Sequence, residues 1–125
     1  MTVEELGFDL DEMSLDEYQT EASEFAFYEH DLLYPVLGLN GEAGEVAEKV
    51  KKLMRDKEVF TEDGETDIDH DDKQAIAYEL GDVLWYVANI ANDIDYSLEE
   101  IAIMNLEKLN DRRQRNSLRG SGDNR

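Results

Sequence analysis

The 125-residue sequence contains no cysteine. Disulfides and thiolate-bound metals are therefore excluded, and the chain suits a reducing compartment. Histidine is scarce: only His30 and His70 occur, and neither follows a candidate glutamate at the three-residue spacing used by di-iron helical bundles, so a ferritin-like centre is not expected. The single proline, Pro35, leaves long stretches free to be helical. No apolar run approaches the roughly eighteen residues of a membrane span. The start Met-Thr-Val-Glu-Glu-Leu has no basic segment ahead of an apolar one, so no export signal is read and a cytoplasmic location is expected. Positive charge is also short: Lys and Arg number 12 against 32 Asp and Glu, a formal net charge of −20. Nucleic acid and anionic membranes attract cations, so neither is expected as a partner. No Lys or Arg precedes Lys49; the cations gather between Lys49 and Lys57 and between Lys108 and Arg125, where a small anion can still be received.

What is present is helical periodicity. Val36, Leu39, Ala43, Val46, Ala47, Val50, Leu53 and Met54 recur at three-to-four spacing, and Ile76, Leu80, Val83, Val87, Ala91 and Ile94 do so again. Ser14-Leu-Asp-Glu17 and Ser97-Leu-Glu-Glu100 have the form of capping boxes. The pattern predicts four helices, over about 15–28, from near Pro35 to about Lys57, over about 72–93, and from about Ser97 to about Arg115. An acidic arm over 1–13, a helical domain over 14–118 and an irregular tail over 119–125 complete the organisation. The acid-rich stretch between Lys57 and Lys73 has no apolar period and reads as a loop. Gly38, Gly41 and Gly44 fall inside the second helix, where each costs roughly 1 kcal/mol relative to alanine. Close approach of a neighbouring helix is the expected compensation, and Gly81 is read the same way.

Helical spacing puts Glu42 and Glu45 one turn apart, and Glu79 and Asp82 likewise. Like charges held that close repel unless a cation lies between them. Two such pairs on helices that must pack together point to a hard-metal site, Mg²⁺ or Mn²⁺, with oxygen ligands. Glu79, Asp82, Tyr86, Asn89 and Asp93 form one polar stripe on the third helix. Asn105, Lys108 and Arg112 share a face of the fourth, which is expected to lie near the acids and offers groups that hold phosphate oxygens. Trp85 falls opposite the apolar stripe, where a partner contact and stacking on a base are both open readings.

Glu42-x-x-Glu45 and Glu79-x-x-Asp82, with the flanking Gly-Leu-Asn-Gly-Glu-Ala-Gly-Glu-Val and Glu-Leu-Gly-Asp-Val-Leu-Trp-Tyr, resemble the MazG-type all-α nucleoside triphosphate pyrophosphohydrolases. The likeness extends to Tyr18-Gln19, to Asn105-Leu-Glu-Lys108-Leu and to the closing Gly120-Ser-Gly-Asp-Asn-Arg125. It implies an all-α, four-helix-type bundle, homodimeric or homotetrameric, that cleaves a nucleoside or deoxynucleoside triphosphate to the monophosphate and pyrophosphate with Mg²⁺. It also implies roles: Glu42, Glu45, Glu79 and Asp82 as metal ligands, with Glu45 orienting or deprotonating the attacking water. Asn105, Lys108 and Arg112 would meet the phosphates, with Lys49 a weaker candidate; Tyr86 and Asn89 would lie near the sugar, and Gln19 and Trp85 at the base. A non-catalytic helical interaction module with acidic decoration is the competing reading.

Overall fold

The computed structural model describes residue 5, residue 7 and residues 12–119, with side chains as far as residue 116. Most of the acidic arm and the closing tail expected from the sequence lie outside the described residues. The elements are α1 (Leu15–Ser23), α2 (Leu33–Asp56), α3 (His70–Asp93) and α4 (Leu98–Arg119), an all-α arrangement. Both N-cap serines engage: Ser14 Oγ accepts from Glu17 N at 3.0 Å, and at Ser97 the reciprocal capping box is complete, Ser97 Oγ accepting from Glu100 N at 3.0 Å while Glu100 Oε1 accepts from Ser97 N at 3.2 Å. Asp69 caps α3 through Asp72 N at 2.9 Å.

α1 is five residues shorter than its apolar pattern predicts, ending at Ser23. A continued helix would give the Ala22 carbonyl to the Ala26 N–H. Here Ala22 O accepts instead from Phe25 N at 3.2 Å and from the Trp85 indole Nε1 at 3.2 Å, and Ala26 N turns to Ser23 O. The chain then crosses to α2 through a segment rich in aromatics. At its end Leu32 adopts φ 63, ψ −55, and Leu33 N donates to Asp31 O at 2.6 Å, a γ-turn rarely adopted by a residue with a side chain. Asp93 holds it by accepting from Leu32 N at 2.8 Å.

α2 and α3 run antiparallel over their full length and make the most extensive helix pair, with α1 laid on α3. Where α1, α3 and the start of α4 meet, Ala22, Ala88, Ala91 and Leu98 are buried, ringed by Tyr18, Trp85, Val87 and Ile101. Gln19 bolts this junction. Its Nε2 donates to Asn92 Oδ1 at 2.9 Å and to Tyr96 O at 2.8 Å, and its Oε1 accepts from Leu98 N at 2.7 Å. With every polar function of its buried side chain engaged, Gln19 is a structural residue and not the base contact that the sequence suggested. Asp16 Oδ1 adds a bond from Glu99 N at 3.2 Å. These α1 side chains cap the orphan N–H groups that open α4 and so steer it along α1.

Beyond its opening turns α4 therefore shares no packing with α2 or α3 comparable to its packing on α1. The expectation that α4 brings Asn105, Lys108 and Arg112 beside the acids is not met within the protomer. Much apolar surface is left uncovered: Leu37, Met54, Tyr78, Leu80 and Leu106 are each more than half exposed.

The helix glycines divide. A Cβ on Gly38 would stand 2.3 Å from the Tyr86 ring, so this glycine lets the ring lie against the α2 backbone. At Gly41, Gly44 and Gly81 it would meet nothing within 4 Å, and helix packing does not account for them. Gly44→Ala is accordingly expected to raise stability by about 1 kcal/mol. Gly38→Ala should lower it and displace Tyr86, a contrast that urea titration of the two variants measures.

Candidate metal and phosphate site

The antiparallel register of α2 and α3 brings both acidic pairs to one cleft. One carboxylate oxygen from each of Glu42, Glu79 and Asp82 lies within 4.8 Å of the other two, a set of hard oxygen donors that fits a divalent cation. Glu45 stands outside that trio and is exposed. It remains close enough to act on Glu42, whose carboxyl is raised above its ordinary value, first by desolvation and then by the charges of Asp82, Glu79 and Glu45. Lys49 Nζ lies 3.7 Å from Glu79 Oε1 and offsets part of the repulsion.

A raised carboxyl reverses the usual acid-stability relation. The folded state holds the Glu42 proton more tightly than the unfolded chain, so the associated stability is complete below the ordinary glutamate value of 4.5 and is lost as pH rises through the higher folded value. Glu42→Gln removes the charge and is expected to raise the melting temperature at neutral pH in the absence of divalent cations. The gain should vanish below about pH 4, which differential scanning calorimetry across a pH series measures.

On the α3 C-terminal side of the acids lies an aromatic cavity of about 510 Å³ whose walls include Phe25, Tyr28, His30, Tyr34, Trp85 and Tyr86. Tyr28 and Tyr34 stack with centroids 5.2 Å apart, and Trp85 stands edge-on to Tyr28 at 6.3 Å and to Tyr86 at 5.0 Å. Desolvation and then the Asp93 carboxylate, which also accepts its hydroxyl, push Tyr28 up to about 12, so it stays a phenol and a donor. Tyr86 is raised by desolvation and by Tyr34, Glu42 and Asp82, placing its hydroxyl at the junction of cavity and acids. Trp85 is half-buried against the core, with its indole N–H held by Ala22 O, and is not the wet residue that the helical wheel of α3 implies. Asn89 is 2 % exposed and donates to Trp85 O at 3.0 Å, so it does not line the cleft and the expected sugar contact is withdrawn.

The cleft thus unites Glu42, Glu79, Asp82, Lys49, Trp85 and Tyr86 of the residues read from the sequence, with Glu45 at its edge. Asn105, Lys108 and Arg112 remain on α4, and Gln19 and Asn89 are buried away from it. Tyr28 and Tyr34 of the aromatic wall were not anticipated as site residues; Asp93, read from the sequence as part of the polar stripe of α3, accepts the Tyr28 hydroxyl behind it. One signal was available: Tyr34 precedes Gly38 by one helical turn, and residues at that spacing share a face.

Among the described residues no helix is long and apolar enough to cross a membrane. A family model, the MazG nucleotide pyrophosphohydrolase domain, matches residues 31–116, which contain both acidic pairs and the whole of α2 and α3. The chain is 46% identical over 122 residues to the Gene 37 protein of Mycobacterium phage L5, a match covering 90% of this chain and 100% of that protein. No solved structure matches the chain. With the family model spanning most of the sequence and its motif acids gathered in one cleft, the chain belongs to the MazG nucleotide pyrophosphohydrolase family.

Proposed function

We propose that the protein is a Mg²⁺-dependent nucleoside or deoxynucleoside triphosphate pyrophosphohydrolase, converting substrate and water to a nucleoside monophosphate and pyrophosphate. The observation that carries this reading is the trio of carboxylate oxygens from Glu42, Glu79 and Asp82 within 4.8 Å of one another, beside an aromatic cavity open to a base. These three residues would hold the ion, and Mn²⁺ suits the same donors. When bound, Mg²⁺ supplies charge neutralisation between carboxylates and phosphate oxygens and makes the phosphorus more electrophilic.

The chain's own groups do the rest. Glu45, exposed and clear of the trio, orients the attacking water and takes its proton. The oxygen–phosphorus bond forms at the α-phosphorus, the bond to the bridging oxygen breaks, and pyrophosphate leaves with that oxygen. Trp85, together with Tyr28 and Tyr34, offers ring faces and edges to the base, and the Tyr86 hydroxyl lies where the sugar would join it to the phosphates.

The exposed apolar faces favour a homodimer or homotetramer, and a second copy is the route by which Asn105, Lys108 and Arg112 would reach a triphosphate. A panel of ordinary and modified nucleoside triphosphates, assayed for pyrophosphate with and without Mg²⁺, tests the reading. Mg²⁺-dependent release from some members is expected; inactivity across the panel would leave the non-catalytic interaction module.

A further inference from the structure

The cleft between α2 and α3 has a direction. Reading along α2, it passes from the Tyr34–Gly38–Tyr86 aromatic end, through Glu42, Glu79 and Asp82, to a second cavity of about 170 Å³ lined by Lys49, Lys52, Leu53, Asp72 and Ala75. The geometry points to this basic end as the subsite for the leaving pyrophosphate, with Lys49 and Lys52 holding the β- and γ-phosphates. The inference rests on the hydrolase reading above and adds the polarity of the substrate and a selection for triphosphates.

Helical rise places Lys49 and Lys52 about 10 and 15 Å beyond Glu42 along α2. Helical side chains lean toward the N-terminus, so both ammonium groups extend back in the direction of the acids; the Lys49 contact with Glu79 at 3.7 Å shows that reach. Lys49 occupies the position of a surrogate cation beside Glu79. Once a metal takes over neutralisation of that carboxylate, its ammonium is released to a phosphate oxygen lying on the side away from the base. Lys52, three residues on and on the same face, meets the next phosphate. Asp72, on the opposite wall, is held at 2.5 Å by Lys57 and so repels an incoming phosphate less than a bare carboxylate would. A nucleoside monophosphate reaches the acids but not this cavity, whereas a triphosphate fills it.

The test uses the full chain and its Lys49→Ala, Lys52→Ala and Lys51→Ala variants. Inhibition of triphosphate hydrolysis by magnesium pyrophosphate and by nucleoside monophosphate is measured separately, and calorimetry follows binding of magnesium pyrophosphate alone. Lys49→Ala and Lys52→Ala are each expected to weaken pyrophosphate by about tenfold or more, the worth of a lost charge-assisted contact, with nucleoside monophosphate inhibition unchanged. Lys51→Ala removes the same charge from an exposed lysine paired with Glu48 outside the cavity and should leave pyrophosphate binding near wild type. Equal weakening of monophosphate and pyrophosphate, equal effects at Lys51 and Lys52, or no effect would overturn the assignment. Should the wild type hydrolyse no triphosphate, the hydrolase reading fails by itself. In that event lysine-dependent calorimetric binding of pyrophosphate still upholds the anion subsite, and its absence rejects it.

Discussion

Asp82→Asn is expected to lower kcat/KM for pyrophosphate release on the order of a thousandfold, about 4 kcal/mol of transition-state stabilisation, while the protein becomes no less stable. Asparagine keeps the shape of the side chain and removes its charge. Asp82 is exposed and shares its trio with Glu42 and Glu79, so in the absence of metal its loss relieves repulsion and leaves no hole. Active-site ligands combine in this way: the charges that must be held together for chemistry oppose folding until a cation joins them. Steady-state kinetics with saturating Mg²⁺, paired with a melting curve in chelator, reads both sides. Unchanged turnover would remove Asp82 from the chemistry and favour the interaction-module reading. Lost turnover with a lowered melting point would make the residue structural.

Gln19→Met is the converse case, a large loss of stability from a residue that touches no substrate. Methionine approximates the volume of glutamine but cannot make the bonds to Asn92 Oδ1, Tyr96 O and Leu98 N. Each buried group left without a partner costs about 1–3 kcal/mol, so a destabilisation of about 3–5 kcal/mol is expected. That is a large share of the 5–15 kcal/mol typical of a domain, and it falls on a junction whose buried apolar residues are Ala22, Ala88, Ala91 and Leu98. Urea denaturation should show a lower midpoint. A normal midpoint with a raised KM would return Gln19 to the base-contact role that the sequence suggested.

These two residues mark how far local reasoning reaches. Asp82 was legible because its helix partner Glu79 and the matching Glu42 and Glu45 repeat one spacing on two amphipathic stretches. Periodicity fixes which side chains share a face of one helix. Gln19 was not legible, because its partners Asn92, Tyr96 and Leu98 lie on other elements and nothing in its neighbourhood announces burial. Asn89 shows the same limit: on the helical wheel it joins Glu79, Asp82 and Tyr86, but it is buried, with its amide turned to Trp85 O. The glycines divide for a similar reason. Spacing placed Gly38, Gly41 and Gly44 in one helix, yet only at Gly38 does another element, the Tyr86 ring, approach.

The sequence by itself determined the four helices, the serine caps of two of them and the spacing that pairs the acids on α2 and on α3, because backbone hydrogen bonding and side-chain spacing within a helix depend on residues a few positions apart. The tertiary structure alone decided that α1 stops at Ser23, that α4 departs along α1 with its cations, and that the Tyr28–Tyr34 stack meets Trp85 and Tyr86 beside the acids. Those outcomes depend on which donors and apolar faces from distant segments satisfy one another, a competition that no single stretch of chain contains.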